Sequence, residues 1–275
     1  MKKILVIISM IFISANMVFA EDWNSETALK RVNTIGNKIV QANGVKHNIE
    51  FKVSDEADIN AYANLNKEVY VYRGLLEYVT DDQELAAVIS HEIGHIVNGH
   101  CKKQGVLGTG INILAYGASK KINSTAAALG QQLANSKMSR NDEFEADLTG
   151  ADLMTKAGYN PLAMISVLNK ICGNYIDIFE THPSGEKRLL NIYNYVEYNY
   201  PAKLASGFNS ESYQKALLVI NPTVQKRRDS KILTAKYEKQ QKKLLAKKEK
   251  RAKKMSKSST IWDGYYSALT LMLSE

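Results

Sequence analysis

His91-Glu92-Ile93-Gly94-His95 decides how this chain of 275 residues is read. It lies in a run from Asp81 to about Val97 that the sequence predicts as a helix. Thr80-Asp81-Asp82-Gln83 supplies a side-chain cap, and Leu85, Val88, Ile89, Ile93, Ile96 and Val97 recur at spacings of three and four. Residues four apart share one helix face, so the imidazoles of His91 and His95 point at one ion. Glu92 falls roughly 100° round the axis, within reach of a water on that ion without being a ligand. Two neutral imidazoles, one further protein ligand and an open position for water make a catalytic zinc site. The histidines also interrupt an apolar face, where polar side chains without partners would cost roughly 1–3 kcal/mol each.

Such a site needs a third protein group. The long pattern with a third histidine ten residues after His91 fails, because position 101 is Cys101. His100 is one place short, which turns its side chain about 100° away. A carboxylate from a second helix is the other route. Ser139-Arg140-Asn141-Asp142-Glu143-Phe144-Glu145-Ala146-Asp147 opens a predicted helix to about Lys156 and sets Glu143 and Asp147 on one face. One of them can bind the metal while the other accepts the free N–H of a ligating imidazole.

His91-Glu92-Ile93-Gly94-His95 followed by Ser139-Arg140 and Glu143-Phe144-Glu145-Ala146-Asp147 resembles the zinc metallopeptidase family that includes the CAAX prenyl protease, the HtpX-like membrane proteases and the BepA, LoiP and Oma-type enzymes. The resemblance runs from about residue 25 to 205 and takes in Asn60-Ala61-Tyr62-Ala63, Gly74-Leu75-Leu76, Thr181-His182-Pro183 and Arg188. It implies an α+β, mainly helical zincin-like domain that hydrolyses peptide bonds as a metalloendopeptidase. By the same resemblance one Zn2+ is bound by His91, His95 and Glu143, Glu92 activates water, and Asp147 is left to orient an imidazole. In BepA-like members the histidine of the Thr-His-Pro loop approaches the zinc as a plug or switch, and His182 is given that catalytic or gating place. Envelope protein quality control is the implied setting, with misfolded envelope proteins as substrates. The competing reading is an envelope chaperone or assembly factor with gated or weak proteolysis. A second donor for the oxyanion would come from His182, Arg188 or Tyr62.

Met1-Lys2-Lys3, an apolar stretch over 4–14 and Val18-Phe19-Ala20 read as a signal peptide over residues 1–20, cleaved near Ala20. The mature chain is then periplasmic or secreted, soluble or peripheral to a membrane, because no later stretch is apolar for the ~18 residues a span requires. The net charge of +8 divides unevenly. Lys226 to Lys257 holds 15 Lys or Arg against three acids, a net +12, so with Lys2 and Lys3 removed the rest carries −6. The basic stretch would meet an anionic membrane surface, and export excludes nucleic acid as its partner. Cys101 and Cys172 allow one disulfide in an oxidising compartment.

The remaining elements follow from periodicity. Leu29, Val32, Ile35 and Ile39 predict a helix from Asp22 to about Ala42. Residues 49–53, 59–63 and 69–72 predict strands of a small antiparallel sheet whose edge would hold an extended peptide. Residues 105–137, rich in small side chains, predict a helical hairpin near the cleft, and helices are expected over 162–172 and 186–198. The peptidase domain is expected over 21–207 and a basic helical extension over 208–275, which ends on the apolar Ile261-Trp262, Tyr265-Tyr266 and Leu269 to Leu273.

Overall fold

Asn24 accepts a hydrogen bond from Thr27 N, and from there Val32, Ile35 and Ile39 fall on one buried face and fold Ser25–Ala42 into helix α1. The structure, a computed structural model, describes residues 23–45, 48–101, 139–172 and 185–256, with Cys172 and residues 251, 252 and 254–256 described by their backbone alone. The expected signal peptide, the hairpin over 105–137, the loop carrying His182 and the apolar end at 261–273 lie outside the described residues.

Strands β1 (Glu50–Ser54), β2 (Ala61–Ala63) and β3 (Glu68–Tyr72) form a sheet in the order β1-β3-β2. The expected antiparallel sheet is corrected here, because β1 and β3 run parallel, with Phe51 opposite Val69 and Val53 opposite Val71. The cause is the hairpin between β2 and β3. Asn64 Oδ1 accepts from both Asn66 N and Glu68 N, and Lys67 takes a left-handed turn at φ 65°, so β3 returns antiparallel to β2 and slots between it and β1. Alternation of apolar residues is the same in either direction, so the sequence cannot separate the two pairings. Val69 and Val71 face the core, and the Phe51 ring abuts α1 at Gly36, where any Cβ would come within 2.6 Å of it.

Helix α2 (Arg73–Tyr78) follows β3 directly, and α3 (Asp82–Asn98) begins where Asp81 Oδ1 accepts from Gln83 N and Glu84 N. Helix α3 is buried nearly all round, between α4 (Arg140–Lys156), α1 and α5 (Leu162–Cys172). Helix α6 (Glu186–Asn199) packs on α4 and α5, and the short α7 (Pro201–Ser206) packs on α6. The expected division at residue 207 falls just before α8 (Glu211–Arg228), whose Tyr213, Ala216, Ile220 and Val224 belong to the same buried cluster as α5.

The basic helix α9 (Lys231–Ser256) lies against this body rather than leaving it. Lys248 pairs with Asp152, a buried carboxylate that also accepts from Tyr195 OH at 2.6 Å and Tyr200 OH at 2.7 Å. Tyr237 OH donates to Asn194 O at 3.0 Å, and its ring lies 4.0 Å from the Arg227 guanidinium. Arg227 and Arg228 both pair with Glu197, and although burial opposes its charge, the two guanidiniums hold that carboxyl below its ordinary range. Among the described residues no helix is long and apolar enough to cross a membrane.

Candidate active site

One buried stretch of α3 carries His91, Glu92 and His95, and the first two turns of α4 carry Asp142, Glu143, Glu145 and Asp147. The two helices cross closely. A Cβ on Gly94 would sit 2.8 Å from Ala146 O, and Ala146 itself is fully buried. A larger residue at either position would push α4 off α3 and carry Glu143 away from the histidines, which explains the small residues inside both segments.

His91 Nε2 and His95 Nε2 lie 3.0 Å apart, with Glu143 Oε2 3.5 Å from the first and Oε1 3.4 Å from the second. One ligand atom from each residue lies within 4.8 Å of the others, and all three residues are buried. Lone pairs directed at one point in a dry interior repel each other unless a proton or a cation stands between them. A tetrahedral ion with bonds of about 2.0–2.2 Å sets its ligand atoms roughly 3.4 Å apart, so these three residues fit a divalent cation.

Each imidazole is held from behind by a different group. His91 Nδ1 lies 2.9 Å from Asp147 Oδ1, and Arg188 fixes that carboxylate by a two-pronged contact, Nε to Oδ2 at 2.8 Å and Nη2 to Oδ1 at 2.7 Å. Arg188 Nη1 also lies 3.0 Å from Glu143 Oε2. Burial opposes charge on His91, but Asp147 and Glu143 outweigh it and raise the pKa to about 10. Burial likewise opposes ionised Asp147, and the Arg188 charge and hydrogen bonds outweigh it, holding the carboxyl below its ordinary value. On the other side, His95 Nδ1 lies 3.0 Å from His100 Nδ1, and His100 Nε2 faces Glu145 Oε2 at 3.4 Å.

A pocket opens beside Glu92, walled by Asn60 and Ala61 of the β2 segment, by Val88 and His91 of α3, by Met164, Leu168 and Ile171 of α5, and by Arg188. The strand order leaves β2 at an edge of the sheet, next to this pocket.

Of the residues expected from sequence, His91, His95, Glu143 and Asp147 are buried in mutual contact, and the buried Glu92 lines the adjoining pocket with His91 and Asp147. Of the three expected oxyanion donors, Arg188 is engaged by Asp147 and Glu143. Tyr62 stacks on Tyr70 with centroids 4.9 Å apart, its pKa pushed up to about 12 by burial, and His182 lies outside the described residues. His100 is the residue that sequence reasoning missed. The spacing that excludes it as a ligand also carries it behind His95, since Gly99 ends α3 in the left-handed conformation (φ 74°) and turns the chain. Cys101 is a free buried thiol rather than half of a bridge to Cys172, and burial beside Glu92 pushes its pKa up to about 12.

A helix-borne histidine pair facing a buried glutamate from a second helix is a donor set that metallopeptidases use. The model of Peptidase family M48 matches residues 26–196, and the chain belongs to that family. It is 35% identical over 181 residues to the metalloprotease LoiP of Escherichia coli K12, covering 62% of this chain and 70% of LoiP. It is 27% identical over 195 residues to a beta-barrel assembly-enhancing protease of Yersinia pestis, covering 64% of this chain and 40% of that protein. The mitochondrial metalloendopeptidase OMA1 of Arabidopsis thaliana is 33% identical over 147 residues, which is half of this chain and 30% of that one. The chain is thus a metal-dependent endopeptidase, and it spans less than half the length of the latter two relatives.

Proposed function

We propose that this chain is an exported zinc endopeptidase of the periplasm that cleaves misfolded envelope proteins, with His91, His95 and Glu143 as the metal ligands and Glu92 as the general base. The observation that carries the reading is the closely spaced triangle of His91, His95 and Glu143 donor atoms, set beside an apolar pocket that Glu92 also lines. Zinc in that triangle would supply a lowered pKa for the attacking water and polarisation of the scissile carbonyl. Glu92 would take the proton of that water and deliver it to the leaving nitrogen. Asp147, clamped by Arg188, would hold His91 with Nε2 turned toward the metal. An extended peptide would add along β2 and seat an apolar side chain between Val88, Met164 and Leu168. The similarity to LoiP and to proteases whose names refer to β-barrel assembly supports the envelope setting, as do the signal-like residues 1–20. In this reading His182 is a gating group.

The purified chain is expected to carry about one zinc, to lose casein cleavage when a chelator strips it, and to regain cleavage on adding zinc back. Cleavage sites mapped by mass spectrometry should place a bulky apolar residue beside the broken bond. Full activity in the stripped protein would contradict the zinc assignment.

The partner reading extends to an anionic membrane surface. Helix α9 turns Tyr237, Gln241, Leu244 and Lys248 toward the body and leaves Lys236, Lys239, Lys243, Lys247 and Lys250 exposed. At about 1 kcal/mol per lysine near such a surface, replacing these five by Gln should sharply weaken co-sedimentation with phosphatidylglycerol vesicles at low salt. Substitution is the sounder test than truncation at Pro222, which would remove the buried Val224 and Arg227. Equal sedimentation of variant and wild type would remove the membrane from the list of partners.

A further inference from the structure

We propose that His100 is a positioning residue of the metal site, one that fixes the tautomer of His95 by accepting its Nδ1 proton. The proposal rests on the ligand set described above and concerns a residue outside it. A neutral imidazole carries one proton. If His95 Nε2 belongs to the ligand triangle, its lone pair points there and the proton must sit on Nδ1. Among the described residues, His100 Nδ1 faces that Nδ1 at 3.0 Å and must then be an unprotonated acceptor. Its own proton is left on Nε2, which among the described residues faces two carboxylates, Glu145 Oε2 at 3.4 Å and Asp142 Oδ1 at 3.7 Å. Every step of this chain runs donor to acceptor in one direction only. The reverse assignment would put a proton on His100 Nδ1, leave its Nε2 lone pair facing two anionic oxygens and require His95 Nδ1 to accept.

The chain is built to keep its geometry. His100 is 3% exposed and His95 is fully buried, and their rings stand at 70° to each other with centroids 5.1 Å apart. Ser139, the cap of α4, donates to Asp142 Oδ2 at 2.6 Å and so holds one of the two carboxylates that face His100. The two ligating imidazoles are thereby supported unequally: His91 has a full carboxylate behind it, whereas His95 has a neutral ring with carboxylates one step further out. A ligand backed by a carboxylate is the more basic of the two, so His100 sets direction at His95 without adding much charge.

Zinc affinity of wild type, His100→Phe and His100→Asn, measured by chelator competition, tests this, alongside 15N imidazole NMR of the zinc-loaded wild type. Phe keeps the ring volume without an acceptor, and zinc should bind 10–100-fold more weakly. Asn offers an amide oxygen near the position of Nδ1 and should recover most of that loss. In the wild type the NMR should show His95 protonated on Nδ1 and His100 protonated on Nε2. Wild-type affinity in His100→Phe, equal weakening in both variants, or a proton on His100 Nδ1 would each overturn the proposal. If His100→Phe does not fold, the wild-type proton positions decide alone. Absence of zinc binding in the wild type itself would instead overturn the ligand set, and this proposal with it.

Discussion

Glu92→Gln is expected to keep its zinc and lose its proteolysis, with cleavage of casein falling by about 10²–10⁴-fold, the range that a positioned base contributes. Glu92 is 3% exposed on α3, lies between His91 and His95 in the sequence, and lines a pocket together with His91. Gln has the same size and keeps a hydrogen-bonding oxygen, so packing around α3 should survive the change. What it cannot do is take a proton from water at neutral pH. Metal analysis and activity therefore separate: zinc content near wild type with cleavage gone is the expected pair. The same variant divides the peptidase reading from the chaperone one. A protein whose main act is holding unfolded clients should suppress aggregation of a denatured substrate as well as the wild type does, whether or not it cleaves. If Glu92→Gln cleaves at the wild-type rate, Glu92 is not the base, and the resemblance has been carried onto the wrong residue.

How far the site could be read in advance depended on how local its signals are. Helix α3 announces itself through a cap, an apolar period and a Gly stop within one stretch, and the two histidines four apart fix a shared face without any tertiary information. Glu143 and Asp147 needed one more inference, that an open metal position requires a carboxylate from elsewhere. Arg188 lies 41 residues beyond Asp147, and no spacing links a buried guanidinium to a carboxylate at that distance, so its clamp on Asp147 became visible only in the fold. His100 was hidden for the opposite reason. It is close in sequence, but the turn at Gly99 takes it off the helical period from which ligands are counted. The parallel pairing of β1 with β3 and the six-residue α2 fall below what periodicity resolves, since one depends on strand order and the other completes fewer than two turns. In α8, Tyr213, Ala216, Ile220 and Val224 keep a helical apolar face, a signal in the sequence beyond the expected edge at residue 207.

Removing Arg188 should cost this protein more than removing any surface charge. Arg188 is 5% exposed, and its guanidinium lies within 3.0 Å of both Asp147 and Glu143, themselves 2% and 0% exposed. Arg188→Met keeps much of the aliphatic stem and leaves both carboxylates without their fixed cation. Breaking a buried pair from one side typically costs roughly 3–5 kcal/mol, and for a domain of this size that lowers Tm by on the order of 10 °C. The pH dependence follows from Asp147. In the wild type its carboxyl is held below the ordinary value, so its contribution to stability is present above about pH 4 and is lost as pH falls through the lower folded value. Without Arg188 the burial that opposes ionisation is no longer outweighed to the same degree, and ionised Asp147 becomes a cost at neutral pH. The deficit of the zinc-free variant against the zinc-free wild type should therefore be widest near pH 7 and should narrow as the pH falls from the variant's Asp147 pKa toward the lower one of the wild type, below which the carboxyl is protonated in both. Arg188→Lys should recover only part of the loss, because one ammonium cannot make the two-pronged contact to Asp147 and still reach Glu143. Urea titrations of the three proteins across that pH range measure the gap directly. A gap that stays constant from pH 7 to pH 3 would mean that Arg188 acts through packing rather than through the charges it joins.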